Sequence, residues 1–300
     1  MVSVVIPTHN RADLIGRAIV SVLNQSYKDI ELLIVSDGST DETKTVVDEF
    51  INKDKRVRYH EYFPSKGGNF ARNAGIHLSV GEYVAFLDDD DEWLPDKLTK
   101  QLDVMQSDKK NVLVYTGCNI IYVNDGVKYS AIPKLQGDLG KQILLDNYVG
   151  STSTVILKKS VLSKSGEFDE NLQALQDYDL WIRIAQQGHV GVVSEQLINY
   201  YNYRGKQQVS ALTARYEKAF EYMNVKYVKL LSGLSKKQMA EKKINEKFLL
   251  GNKAMRNNNP QSARRYFREI LQIKWSAKAF VYLLLSYTSF KTVLKFRSLI

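Results

Sequence analysis

The sequence predicts an α/β fold with a mostly parallel central sheet in one domain, followed by a helical C-terminal extension. Three observations predict it. Over the first hundred residues, strand-like apolar runs alternate with helical spacing, as in a parallel sheet with crossover helices. The run Tyr83-Val84-Ala85-Phe86-Leu87 alternates poorly, as expected of a strand buried on both faces, and it leads directly into Asp88-Asp89-Asp90-Asp91. After Ser210 strand formers give way to helical spacing and many lysines. These shifts divide the chain into residues 1–210, the body, and residues 211–300, the extension.

Residues 2–6 form the first strand, ended by Pro7, and residues 13–24 carry helical spacing through Leu14, Ala18, Val22 and Leu23. Residues 30–36 are a second buried strand. The turn Asp37-Gly38-Ser39-Thr40 follows, where Ser39 or Thr40 is placed to cap the next helix, with Asp41 and Glu42 near its positive end. A weaker strand covers residues 56–62. Gly67-Gly68-Asn69 then opens a helix to about Ser79, and Gly81 turns the chain into the strand before the aspartates. A helix begins near Pro95. Residues 111–123 are a strand, and residues 127–160 mix short strands with a helix at 139–146. Residues 175–187 form a helix closed by Gly188, and residues 190–203 return to strand character.

At 300 residues and 44% hydrophobic, the chain can bury a full core. Its single cysteine, Cys118, excludes a disulfide framework and suits a reducing compartment. The N-terminus carries no secretory signal, and no run reaches the ~18 apolar residues of a membrane span. The net charge of +9 is unevenly spread: the body has 23 Lys and Arg against 28 Asp and Glu, the extension 19 against 5. A basic extension of +14 suggests contact with an anionic partner. The apolar stretch at residues 279–290, set among lysines and arginines, favours a membrane surface over nucleic acid, with a helical cap on the body as the alternative.

In open α/β sheets ligands gather at the carboxyl ends of strands. Four carboxylates there need a neutralising partner, and a hard divalent cation sharing phosphate oxygens fits best. Pro7-Thr8-His9-Asn10-Arg11 and Ser36-Asp37-Gly38-Ser39 end the first two strands. If those strands are neighbours, both loops line one nucleotide-sized crevice, with Asp37 an acceptor suited to the imide N–H of a uracil or thymine ring. Arg72, one turn into the glycine-opened helix, is within reach of a pyrophosphate. Neither a Walker sequence nor a dinucleotide fingerprint is present. Further on, Gln176-Asp177-Tyr178-Asp179-Leu180-Trp181 sets two carboxylates at a helix start, facing different ways, so that one can enter a cleft while the other caps or meets solvent.

In order and spacing, four motifs resemble the family-two inverting glycosyltransferases: Val-Ser-Val-Val-Ile-Pro-Thr-His-Asn, Val-Ser-Asp-Gly-Ser-Thr-Asp, Asn-Phe-Ala-Arg-Asn-Ala-Gly and Phe-Leu-Asp-Asp-Asp-Asp-Glu-Trp-Leu-Pro. The resemblance is strong over residues 2–100 and extends to about 203. It implies the GT-A nucleotide-sugar fold. It also implies that Pro7, Thr8, Asn10 and Asp37 hold the nucleoside, with Arg11, Arg72 and Asp89 on the donor side. Asp88 would lie near the ribose, Asp90 on a Mn²⁺ or Mg²⁺ ion at the diphosphate, and Asp177 would be the catalytic base. Gln176 replaces the glutamate usual before the base. Where many relatives carry a histidine beyond the base, this chain has Tyr203-Arg204-Gly205-Lys206, so Arg204 or Lys206 is the expected substitute. Trp181 is counted with Gln176 as a possible acceptor contact.

The expected reaction moves a sugar from a nucleoside-diphosphate donor, of the uridine type, to a saccharide or lipid-linked saccharide. The expected place is the cytoplasm, at the inner face of the cell membrane. Two rivals are a sugar-phosphate nucleotidyltransferase and a non-catalytic nucleotide-sugar-binding module. The first wants a glycine- and arginine-rich loop after the first strand, where Pro7-Thr8-His9-Asn10 stands. The second would be expected to have lost Asp90 or Asp177, and both are present.

Overall fold

A computed structural model describes residues 1–203 and 212–299. The first half of the chain alternates as its patterning predicts: β1 (Val2–Thr8), α1 (Ile15–Leu23), β2 (Ile30–Asp37), α2 (Thr43–Ile51), β3 (Val57–Tyr62), α3 (Gly68–Leu78) and β4 (Tyr83–Phe86). Then come β5 (Glu92–Trp93), α4 (Lys97–Ser107), β6 (Asn111–Tyr122), β7 (Val127–Ala131), β8 (Val155–Lys158), α5 (Leu162–Ser165), α6 (Gln176–Ala185) and β9 (His189–Asn202). The extension is helical: α7 (Thr213–Lys226), α8 (Val228–Leu231), α9 (Lys236–Arg256), α10 (Pro260–Ile273), α11 (Ala277–Leu285) and α12 (Phe290–Arg297). The expected boundary near residue 210 lies outside the described residues.

One sheet runs β3-β2-β1-β4-β8-β6-β9-β5, with β7 paired to β6. The β3-β2-β1-β4 block is parallel throughout, β8 is antiparallel between β4 and β6, and β9 is parallel to β6. Every residue of β1, β2 and β4 is buried, which explains their unbroken apolar character. Successive side chains enter opposite faces. Val4, Ile6, Leu32 and Ile34 pack with α1, α2 and α4, whereas Val5, Leu33, Val35 and Phe86 pack with α3, α6 and the C-terminal helices.

The chain leaves β1 through α1 on one face and returns to its other neighbour, β4, through α3 on the opposite face. The carboxyl end of β1 is therefore a topological switch point, where the two connections diverge and leave a crevice. Gly75 brings α3 close to β1, since a Cβ there would stand 2.3 Å from Cγ1 of Val5.

Two local expectations are corrected. Residues 139–146 hold only a 3₁₀ turn, Gln142–Leu144, although Leu139, Ile143, Leu144 and Leu145 are buried. Gly140 weakens the start of the segment as a helix. At its end the Asp146 and Asn147 side chains accept from the Asn147 and Gly150 N–H groups, holding a turn instead. Neither Ser39 nor Thr40 caps α2. The Ser39 hydroxyl accepts from the Asn10 N–H, and Asp41 Oδ1 takes the Thr43 N–H and hydroxyl.

Candidate active site

The loops after β1, β2 and β4 meet at one sheet edge, because Thr8 pairs with Ser36 and Val5 with Phe86 in parallel register. Together with α3, α6 and the segment before β8, they enclose a cleft of about 1380 Å³. Pro7, Thr8, Asn10, Arg11, Asp37, Arg72, Asp88, Asp89, Asp90, Gln176 and Asp177 all line it. These residues are drawn from five separate stretches of sequence. Trp181 does not line it. Its ring is core, 1% exposed, and its indole N–H donates to the Gly150 carbonyl at 2.9 Å, so it acts on the cleft only by holding a wall loop. Arg204 and Lys206 lie outside the described residues.

Asn10 adopts the left-handed region (φ 54°), which asparagine tolerates better than most residues. Its side-chain carbonyl accepts from Thr40 N–H at 2.8 Å and locks the β1 loop onto the β2 loop. Asp37 already has work inside the protein. Oδ1 accepts from Lys66 N–H at 2.6 Å, and Oδ2 accepts from the Ser65 hydroxyl and Gly67 N–H, each at 2.8 Å. Burial alone would raise its pKa, but these donors and the Tyr62 hydroxyl hold it below the usual carboxylate range. Little acceptor capacity remains for a base N–H. His9 lines the cleft, with Nδ1 2.5 Å from the Asp37 carbonyl oxygen.

The four aspartates do not converge on one point, contrary to the expectation that only a cation would neutralise them. Asp88 is paired with Arg72 at 2.6 Å and accepts from the Thr152 hydroxyl at 3.1 Å. Asp91 is fully buried away from the cleft, where it accepts from the Ser153 hydroxyl (2.7 Å) and Tyr201 N–H (3.1 Å). Burial and the neighbouring aspartates push its pKa upward. Asp89 and Asp90 lie between these two. Burial, then the charge of Asp90, pushes Asp89 up to about 7, while the Thr8 hydroxyl and Arg11, 3.9 Å away, oppose the shift.

A carboxylate discouraged from ionising by its neighbour fits a site that receives a divalent cation. Among the described residues, however, no three His, Cys, Asp or Glu side chains are grouped to enclose one. A cation here would take one or two carboxylates, Asp90 first, and complete its shell with ligand oxygens.

Asp177 lies in the first turn of α6. Leu175, at the helix start, is held in the left-handed region (φ 60°), an uncommon geometry for a branched residue and one that recurs where structure constrains a site. Oδ1 of Asp177 accepts from Tyr178 N–H at 2.7 Å. Burial pushes its pKa up to about 6, against the pull of that N–H and of Arg72 and Lys253. A carboxylate poised there can accept a proton near neutral pH. Asp179 neither caps α6 nor meets solvent. It is fully buried, paired with Arg183 (2.7 Å) and Lys226 (2.8 Å), and accepts from the Tyr227 hydroxyl at 2.6 Å. Two of those partners belong to the extension, which thus braces the helix carrying Asp177.

Several supporting residues escaped the sequence reading. Arg17 donates to the Asp90 carbonyl at 2.5 Å and stacks on the Tyr201 ring, holding the aspartate loop from α1. Asn69 donates to the Asp169 and Leu172 carbonyls, and Asn73 exchanges hydrogen bonds with Phe168, so α3 stitches down the loop entering α6. The signal was two asparagines four apart inside a helix, where asparagine is otherwise disfavoured. Ser151-Thr152-Ser153-Thr154 is an equally visible run of hydroxyls, and Thr152 and Ser153 serve Asp88 and Asp91. Tyr216, Leu249 and Lys253 of the extension also line the cleft.

Comparison with known proteins gives the family and the fold. The sequence model of glycosyl transferase family 2 matches residues 3–165. An uncharacterized glycosyltransferase of Haemophilus influenzae is 27% identical over all of this chain and 99% of its own. The putative teichuronic acid biosynthesis glycosyltransferase TuaG of Bacillus subtilis is 31% identical over 63% of this chain and 73% of its own. Among solved structures, S. aureus TarS 1–349 in complex with UDP-GlcNAc is 18% identical, with a TM-score of 0.66 over 98% of this chain and 90% of that one. Mannosyltransferase PcManGT from Pyrobaculum calidifontis, in complex with GDP-Man and Mn²⁺, is 17% identical, with a TM-score of 0.60 over 98% and 84%. At these identities the two structures establish a shared fold.

Proposed function

The chain belongs to glycosyl transferase family 2, and from that premise we propose an inverting transfer of sugar from a uridine diphosphate donor to a saccharide hydroxyl. The observation that carries it is a single carboxylate, Asp177, with its pKa raised to about 6, in the same cleft as Asp88, Asp89 and Asp90. In this reading Pro7, Thr8 and Asn10 seat the nucleoside, Asp37 shapes its pocket by holding the backbone of residues 65–67, and Arg11, Arg72, Asp88 and Asp89 border the ribose and diphosphate. Asp177 takes the proton of the acceptor hydroxyl as its oxygen bonds to the anomeric carbon. The bond from that carbon to the diphosphate oxygen breaks on the opposite face, so one displacement inverts the centre. A divalent cation held by Asp90 would supply the positive charge that stabilises the leaving diphosphate. The complexes of TarS with UDP-GlcNAc and of PcManGT with GDP-Man and Mn²⁺ support both the donor class and the cation. The TuaG relationship supports an acceptor in surface-polysaccharide assembly, free or lipid-linked.

The donor assignment is tested by thermal unfolding of the full chain with Mn²⁺ and UDP-, GDP- or dTDP-sugars. A ligand bound only by the native state at 100 times its Kd stabilises by about 2.7 kcal/mol, so a UDP-sugar is expected to raise Tm by several degrees. A shift with GDP-sugars alone would reassign the base, and no shift with any of them would remove the reading.

We also propose that the extension rests on an anionic membrane. No helix among the described residues is long and apolar enough to cross one. The support is an exposed apolar ridge: Trp275 (72% exposed), Phe280, Leu284 and Tyr287, with Lys274, Lys278 and Lys291 exposed beside it. Apolar insertion plus basic charge supplies the two signals that stable peripheral attachment needs. The extension shares an apolar cluster with the body, so removing it would damage the fold, and surface substitution is the cleaner experiment. Phe280→Ser with Leu284→Ser is expected to abolish flotation with phosphatidylserine-containing liposomes, and high salt to release the unaltered chain. Undiminished flotation of the double variant, or equal binding to neutral liposomes, would leave the extension as a brace for α6.

A further inference from the structure

Resting on the glycosyltransferase reading, we propose that Lys253 recognises an anionic group on the acceptor, a sugar carboxylate or a phosphate ester, next to the hydroxyl that Asp177 deprotonates. Lys253 lies near the end of α9, one turn beyond Leu249. Both line the cleft with Tyr216 of α7 and Asp177 of α6. The Lys253 Nζ stands 4.5 Å from the centre of the Tyr216 ring. Among the described residues it has no carboxylate within 4 Å, and residues 204–211 contain no acidic side chain.

Lys253 is half-buried in the cleft wall, and an ammonium held partly out of water without a counter-ion is costly enough that proteins normally pair it. Burial, with the charge of Arg256, pushes Lys253 down to about 7, and only the more distant charge of Asp177 opposes this. The basic extension carries 19 cations, twelve of them exposed. Among those that turn inward, Lys253 lies in the cleft with the proposed base and against an aromatic ring, a position suited to selecting a ligand.

The surroundings suit a charged sugar. Tyr216 presents an aromatic face, and Leu249, Ile132, Pro133 and Leu135 give the cleft apolar wall. An anion seated on Lys253 would supply the missing counter-charge while the sugar ring contacts that wall. The donor diphosphate is the competing anion. Arg72, paired with Asp88 at the β4 end, is already placed for it.

The test uses the full chain, with UDP and Mn²⁺ present or absent, and three probes: methyl glucoside, methyl glucuronide and methyl 6-phosphoglucoside. Affinities come from ligand-observed NMR titration. At least one charged probe is expected to bind about tenfold tighter than the neutral one, from one charge-assisted contact. Comparing glucuronide with phosphoglucoside identifies the source of the anion. Lys253→Met, which keeps an aliphatic stem against Tyr216, is expected to reduce that preference to twofold or less. Lys253→Arg should retain it. UDP affinity should stay unchanged in both variants, and Tm should not fall in either, with Lys253→Met expected to raise it by removing the uncompensated charge. Equal binding of all three probes, or a preference that survives Lys253→Met, would overturn the inference. Weakened UDP binding in Lys253→Met would overturn it too, by assigning the cation to the donor. Failure of UDP to bind the unaltered chain would instead count against the donor reading, and the probes would still report on Lys253.

Discussion

Asp177→Asn is expected to lower kcat by about a hundredfold or more while donor affinity and Tm hold, because the substitution keeps the shape and removes the basicity. The pH profile is the sharper measurement. The base acts only when ionised, and burial sets its pKa near 6 in the free enzyme. kcat/KM for the unaltered chain should therefore be level above that value and fall tenfold per unit of pH below it. In the asparagine variant the residual rate should lose this limb. Retained turnover would move the base elsewhere in the cleft. Asp179 is not a candidate, since it is fully buried between Arg183, Lys226 and Tyr227.

What was legible in the sequence is what depends on neighbours along the chain. Val2–Thr8, Ile30–Asp37 and Tyr83–Phe86 announce buried parallel strands because each is apolar on both faces. A parallel sheet sends all its strand ends to one edge, so Asn10, Asp37 and Asp88 could be grouped before their distances were known. Arg72 was legible for a similar reason, as a charged residue in the opening turn of a helix, whereas Asp177 was singled out only by the family resemblance. What stayed hidden depends on packing across a hundred residues. Asp177 and Asp179 look alike in sequence, and their fates diverge only because α7 brings Lys226 and Tyr227 to the second one. Trp181 was expected among the diphosphate or acceptor contacts, yet its indole N–H is taken by the Gly150 carbonyl. Nothing marks Lys253 among the lysines of its helix until α9 is seen to wall the cleft. Asp91 belongs to the same class. It completes a run of four identical residues, but Ser153 and the Tyr201 N–H draw it out of the cleft.

That division within the aspartate run carries the second large expected effect. Asp90→Ala should abolish transfer and reduce nucleoside-diphosphate affinity in Mn²⁺ to the value measured in EDTA. Charge stabilisation of a leaving diphosphate amounts to several kcal/mol, on the order of a thousandfold in rate. Stability should not suffer, because the charge of Asp90 helps hold Asp89 up to about 7, and its removal relieves two crowded carboxylates. Asp91→Ala should behave in the opposite way. It strands the Ser153 hydroxyl and the Tyr201 N–H in the interior, and each unsatisfied buried group costs roughly 1–3 kcal/mol, so Tm should fall clearly. The pair of variants separates two explanations of an inactive enzyme, a lost ligand and a collapsed loop. If Asp90→Ala kept a Mn²⁺-dependent gain in nucleotide affinity, the cation would have to be held by Asp88 or Asp89 instead. Asp88 would then have to exchange its 2.6 Å contact with Arg72 for the ion, freeing that guanidinium for the diphosphate.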